Sequence, residues 1–162
     1  MRFVFVLPVV ALLTVSGGLE AQERLESRDL ATYRLAEPTF RQFQDASRRI
    51  GEVTTSDSRF RFAPLFTREI VQSEDASSAA AQLMARLEHE PALAEALGAA
   101  GLTAREYTAF ALTLIGARLA HGFLHSGALR AVPPGVPADN VAFVDAHLTE
   151  VLAVLHLLGV SA

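Results

Sequence analysis

The feature that most constrains this chain is the stretch from Ala104 to His125. Tyr107, Phe110, Leu112, Leu114, Ile115, Leu119, Phe123 and Leu124 leave it apolar on nearly every side of a helix. A helix of that kind has to be enclosed, so the rest of the chain must supply other helices to cover it. Its start is written just upstream. Thr103-Ala-Arg-Glu106 is a capping box, in which Thr103 accepts from the Glu106 amide and Glu106 accepts from the Thr103 amide. Leu102 and Tyr107 flank the box as a hydrophobic staple. Gly127 is the natural stop, with Gly122 as an earlier one.

The covering elements follow from periodicity and punctuation. Phe40, Phe43, Ser47, Ile50 and Thr54 recur at helical spacing after Pro38, opposite a face of Arg41, Gln44, Asp45, Arg48 and Arg49. The run Thr54–Ser58 ends that helix through competing local hydrogen bonds. Arg59-Phe-Arg-Phe62 alternates like a short strand, and Pro64 can open a short helix through Leu65, Phe66, Ile70 and Val71. After the polar tract at 73–78, Ala80, Leu83, Met84 and Leu87 form one face of a further helix. Glu90-Pro91 breaks it and starts another, carrying Leu93, Ala94 and Leu97 and stopping at Gly101. The rigid loop Ala131–Pro137 precedes a last helix, capped by Asp139 or Asn140 and running to about Leu158, with Val141, Val144, Leu148, Val151, Leu152 and Leu155 on one stripe. This last helix and the 104–125 helix form an αα-hairpin.

Composition removes several function classes. The chain has no cysteine, which excludes disulfides, thiolate zinc sites, iron–sulfur clusters, covalently attached haem and a thiol nucleophile. A net charge of −4 offers no electrostatic footprint for nucleic acid. With 51% hydrophobic residues, the chain is too apolar to be disordered. There is no G-x-S-x-G elbow, P-loop or dinucleotide fingerprint. Acidic pairs such as Glu88/Glu90 read as solvated helix ends rather than a glycosidase pair.

At the N-terminus, Arg2, the apolar run Phe3–Val15 and the small residues up to Ala21 follow the order of a secretory signal peptide. The run is too short to span a bilayer. Residues 22–37 are charged and mixed, and read as a flexible leader with a short extended piece at Thr32–Leu35.

Two groups of side chains can carry binding. His121 and His125 stand at i and i+4 and share a helix face with Arg118. In an antiparallel hairpin either can approach Asp145, His147 or Glu150. His121, His125 and His147 are then the candidate ligands for a transition metal or a non-covalent haem. The competing explanation is that Arg118, His121, His125 and Arg130 cluster at a helix C-terminus because positive groups suit the macrodipole there. The second group is a partner surface. Phe60, Phe62 and Phe66 form either core or a docking patch, and Arg48 and Arg49 form either a local anion-binding patch or a solvated face.

Gly101-Leu-Thr-Ala-Arg-Glu-Tyr107 resembles the G-L-T-x-R-E-Y stretch of a group of small exported bacterial helical proteins. Pro137-Ala-Asp-Asn-Val-Ala-Phe-Val144 resembles their P-x-x-N-V-x-F-V stretch. The similarity covers roughly residues 75–155 and implies a shared helical fold and export. It supplies no catalytic residue, and the pattern does not include histidines at 121 and 125.

The expectation is therefore an all-α protein. A single four- to five-helix bundle over residues 38–162 ends in the αα-hairpin, after a signal peptide at 1–21 and a leader at 22–37. Its expected place is the periplasm or the extracellular space, with no transmembrane anchor once the signal is cleaved. Its expected role is a non-enzymatic binding or interaction protein, an accessory subunit on an envelope complex, with no catalytic residue, cofactor or nucleic-acid partner. The alternative is a metal, haem or small-ligand carrier using His121, His125 and His147.

Overall fold

A computed structural model describes residues 27–57 and 76–160. These residues are all-helical, with no strand among them. The expected signal peptide at 1–21 and the Phe60, Phe62 and Phe66 segment lie outside the described residues, as do the short strand and helix expected between 59 and 71.

Seven helices are described: α1 (Ser27–Thr32), α2 (Glu37–Ser56), α3 (Ala76–His89), α4 (Pro91–Ala99), α5 (Ala104–His125), α6 (Ala138–Ala146) and α7 (Leu148–Leu157). Two of these depart from the sequence pattern. α1 occupies part of the stretch expected as leader and extended piece. The last helix, expected to be continuous, is divided into α6 and α7.

The long apolar helix α5 is enclosed as its composition demands, packing against α1, α2, α3, α4 and α6. Its capping box is formed. Thr103 Oγ1 accepts from the Glu106 amide at 3.1 Å, and Glu106 Oε2 accepts from the Thr103 amide at 2.9 Å. Leu102 and Tyr107 on either side are both buried. Leu102 also closes the preceding helix: its amide donates to the Leu97 carbonyl at 3.1 Å, while Gly101 takes a φ of 75°, which glycine adopts without a Cβ penalty. One leucine thus ends α4 and opens α5.

The core is built on aromatic rings. Phe43 of α2 lies 4.8 Å from both Tyr107 and Phe110 of α5, and Phe40 stacks on Phe110 at 6.0 Å. Phe40 also meets Phe143 of α6 edge-on at 5.4 Å. The Tyr107 hydroxyl would be a costly buried polar group alone. It shares a 3.1 Å hydrogen bond with Ser47, the one polar residue on the buried face of α2. Burial pushes the Tyr107 phenol well above its ordinary range, so it stays neutral.

The break between α6 and α7 falls at His147 and turns the chain by 91°. Neither glycine nor proline stands there. The turn is held by side chains: the His147 ring lies 4.5 Å from Phe143 and 5.7 Å from Phe40. It redirects α7 onto α2, where Leu157 Cδ1 would sit 3.2 Å from a Cβ at Gly51. The αα-hairpin is therefore α5 with α6, and α7 covers a different helix. Among the described residues, no single helix is long and apolar enough to cross a membrane. α6 and α7 together pass on length and composition, but they meet at that 91° bend.

Asn140 was expected as a cap for the last helix and has another task. The helix begins at Ala138 after Pro137, and no side chain caps it. Asn140 is buried; its Oδ1 accepts from the Leu35 amide at 3.0 Å and its Nδ2 donates to the Tyr33 carbonyl at 2.9 Å. It thereby fastens the segment after α1 to α6, and Leu35 joins the core.

Two outcomes follow. Asn140→Ala orphans the Leu35 amide in the interior, so stability should fall by about 1–3 kcal/mol in denaturant unfolding; an unchanged midpoint would show that this tie is dispensable. The Glu106 carboxyl is held below the usual carboxylate range, first by the Thr103 amide and then by the Thr103 hydroxyl. Its contribution is complete above the unfolded glutamate value of about 4.3 and is lost as pH falls through the lowered folded value. Melting temperature in Glu106→Gln should therefore decline less steeply than in the parent as the medium is acidified below that point.

Candidate metal centre

The histidines sit where α5 leaves the core. His121 is 6% exposed, whereas His125, one turn on, is exposed. Their rings stack with centroids 4.7 Å apart and planes 26° apart. Across the hairpin, Asp145 of α6 brings its Oδ1 to 3.0 Å from His121 Nε2. An ionised carboxylate only accepts, so the His121 Nε2–H is the donor. The His121 Nδ1 is buried without a hydrogen-bond partner.

His121, His125 and Asp145 each offer one ligand atom, and these atoms lie within 4.8 Å of one another. Bonds of ~2.0–2.1 Å around a tetrahedral ion put neighbouring ligand atoms about 3.3–3.4 Å apart. The His121–Asp145 pair is thus within a few tenths of an ångström of that spacing. Two imidazoles and one carboxylate form a donor set suited to zinc, copper or nickel.

This is not the set expected from the sequence. His147 does not join His121 and His125. Its Nε2 lies 3.1 Å from Glu37 Oε2 and its Nδ1 3.4 Å from Glu150 Oε2. The reason is geometric: positions two apart on a helix point about 200° from each other. Once Asp145 faces His121, His147 faces elsewhere, and it stands at the break. Asp145 was legible only as one of three residues that an antiparallel hairpin would bring near.

The proposed anion patch on α2 also resolves differently. Arg48 pairs with Asp45 and, at 3.1 Å, with Glu52, and Arg49 Nε reaches Asp45 Oδ2 at 2.8 Å. Hydrogen bonds from Arg49 first, and then Arg48, hold the Asp45 carboxyl below its usual range. Both guanidiniums already carry carboxylate partners from their own helix.

Arg118 has no such partner. Its Nε is buried without a hydrogen bond, and no ion pair engages it among the described residues. Its Nη1 lies 2.8 Å from where a Cβ at Gly122 would be. The guanidinium therefore reaches one turn forward, over the gap left by Gly122.

No protein-family model, curated protein or solved structure matches the chain. The chemistry of the site rests on its own geometry.

Gly122 gives a direct check on that geometry. The obstacle to a Cβ is the far end of a flexible side chain, and alanine is the better helix former. Gly122→Ala should stabilise the fold by about 0.5–1 kcal/mol while displacing Arg118. A loss of stability in thermal unfolding would mean that the guanidinium is fixed in place.

Proposed function

We propose that this chain is an exported, non-enzymatic helical protein that binds a divalent transition-metal ion through His121, His125 and Asp145. The observation that carries the reading is the convergence of three ligand atoms from two helices within 4.8 Å. Export rests on the residue order at 1–21, and the helical bundle that holds α5 and α6 is the binding domain. The non-enzymatic role rests on the lack of any recognised catalytic motif in the sequence. The donor set suits a bare ion better than haem, because stacked imidazoles 4.7 Å apart leave no room for a macrocycle between them.

The reading as an accessory subunit on an envelope complex keeps one observation. Leu119 and Phe123, at i and i+4 on α5, are 48% and 50% exposed. The residues first assigned to partner contact lend it less. Arg48 and Arg49 are paired, and Phe60, Phe62 and Phe66 lie outside the described residues.

Metal-free protein titrated with Zn²⁺ should bind one equivalent. It should gain about 2.7 kcal/mol of stability when free metal is a hundred times the dissociation constant. His121→Ala and His125→Ala should abolish saturable binding, Asp145→Asn should weaken it, and His147→Ala should leave it unchanged. Because imidazoles and a carboxylate hold a metal only in their deprotonated forms, binding should weaken in acid. Calorimetry showing no saturable site, or an equal loss in His147→Ala, would overturn the assignment.

A further inference from the structure

We propose that the seat of Tyr33 and Leu35 against α5 and α6 is a binding site for an extended peptide, closed by the chain's own N-terminal strap. The strap is α1 with residues 33–36, which belong to no helix. The ligand is an extended segment of a partner protein that carries an aromatic residue and a leucine two positions apart. This site is separate from the metal reading and does not depend on it.

Three features carry this. First, Asn140 holds the strap as a neighbouring β-strand would. In an extended chain, one carbonyl and the amide two residues on lie along the same edge. The Asn140 side chain takes both: Nδ2 donates to the Tyr33 carbonyl at 2.9 Å, and Oδ1 accepts from the Leu35 amide at 3.0 Å. Any peptide offers those two groups, so the clamp gives affinity and leaves specificity to the side chains. Second, the side chains alternate. Leu35 is buried in the main core, whereas Arg34 and Ala36 are exposed. Tyr33 meets Phe110 edge-on at 6.3 Å and packs beside the cluster of Ala80, Met84 and Ala109. Third, the charged contacts of the strap lie at the surface. Arg34 stands 3.8 Å from Asp139, and Arg105 3.4 Å from Asp29, with all four side chains well exposed. Exposed pairs of this kind contribute little. The junction with α2 is extended at Ala36, with φ −137° and ψ 145°, and no side chain caps the helix there. Rotation at that residue swings the strap away and leaves α2 helical.

A partner segment is a better occupant than a second copy. A copy that lends its strap empties its own seat, so exchange between copies gains nothing at the site and loses translational freedom. A segment from another protein leaves no such vacancy behind.

The probe is a dye-labelled peptide of residues 27–36, read by fluorescence polarisation on full chains whose fold is checked by circular dichroism. Leu35→Glu places a charge where the core takes a leucine, so that chain cannot seat its own strap and should bind the peptide saturably. The parent should bind it about a hundredfold more weakly, because its tethered strap competes at high effective concentration. Adding Asn140→Ala to the Leu35→Glu chain should weaken the peptide by about tenfold or more, as expected from two lost hydrogen bonds. The peptide carrying Leu35→Glu should not bind. Tyr33→Ala loosens the strap by a milder route and should also admit the peptide. No saturable binding to either variant, equal binding to the parent, or indifference to Asn140→Ala overturns the site. Unfolding of both variants overturns it too, since the strap is then core that cannot leave. A two-chain species on mixing the Leu35→Glu and Asn140→Ala chains assigns the seat to a second copy and overturns the partner.

Discussion

The structure depends on the need to enclose α5. A helix apolar on nearly every side offers water little of its surface, so burial must come from several directions. Five other helices meet that need, and their arrangement follows from it. The tightest element is the ring stack of Phe40, Phe43, Tyr107 and Phe110, which locks α2 against α5 and reaches α6 through Phe143. Within it, the Ser47–Tyr107 hydrogen bond satisfies two buried hydroxyls with each other. Losing either partner would leave the other unsatisfied in a dry interior, so this pair also fixes the register of α2 on α5.

The candidate centre is a consequence of the same enclosure running out. Toward its C-terminus α5 is covered less fully: Leu119 and Phe123 are exposed, and the histidines emerge there. α6 is the neighbour at that end, so its residues are the ones that reach them. A site built on two helices is held by the hairpin that joins them. Metal binding would therefore clip α6 to α5 across the loop containing Pro133, Pro134 and Pro137.

Much of the fold was legible from local chemistry. The capping box at Thr103, the stop at Gly101 and the break at Glu90-Pro91 each act through a few neighbouring residues, so a reader of the chain meets all the parts at once. The face of α2 carrying Phe40, Phe43, Ser47 and Ile50 was legible for the same reason, because helical spacing is a local rule. The site was half legible. His121 and His125 share a face by spacing alone, whereas the third candidate, Asp145, depends on how α6 is rotated against α5.

What the sequence alone determined is the class of fold and the central place of α5, because composition and periodicity fix which surfaces must leave water. What tertiary structure decided is the helix break at His147, the choice of Asp145 over His147, and the use of Asn140 to hold Leu35. None of these has a local signature. The apolar stripe continues across the break, and Asn140 meets an amide 105 positions away in the chain. Each is settled by which surfaces remain to be covered once α2 and α5 have packed, and that is a property of the assembled interior.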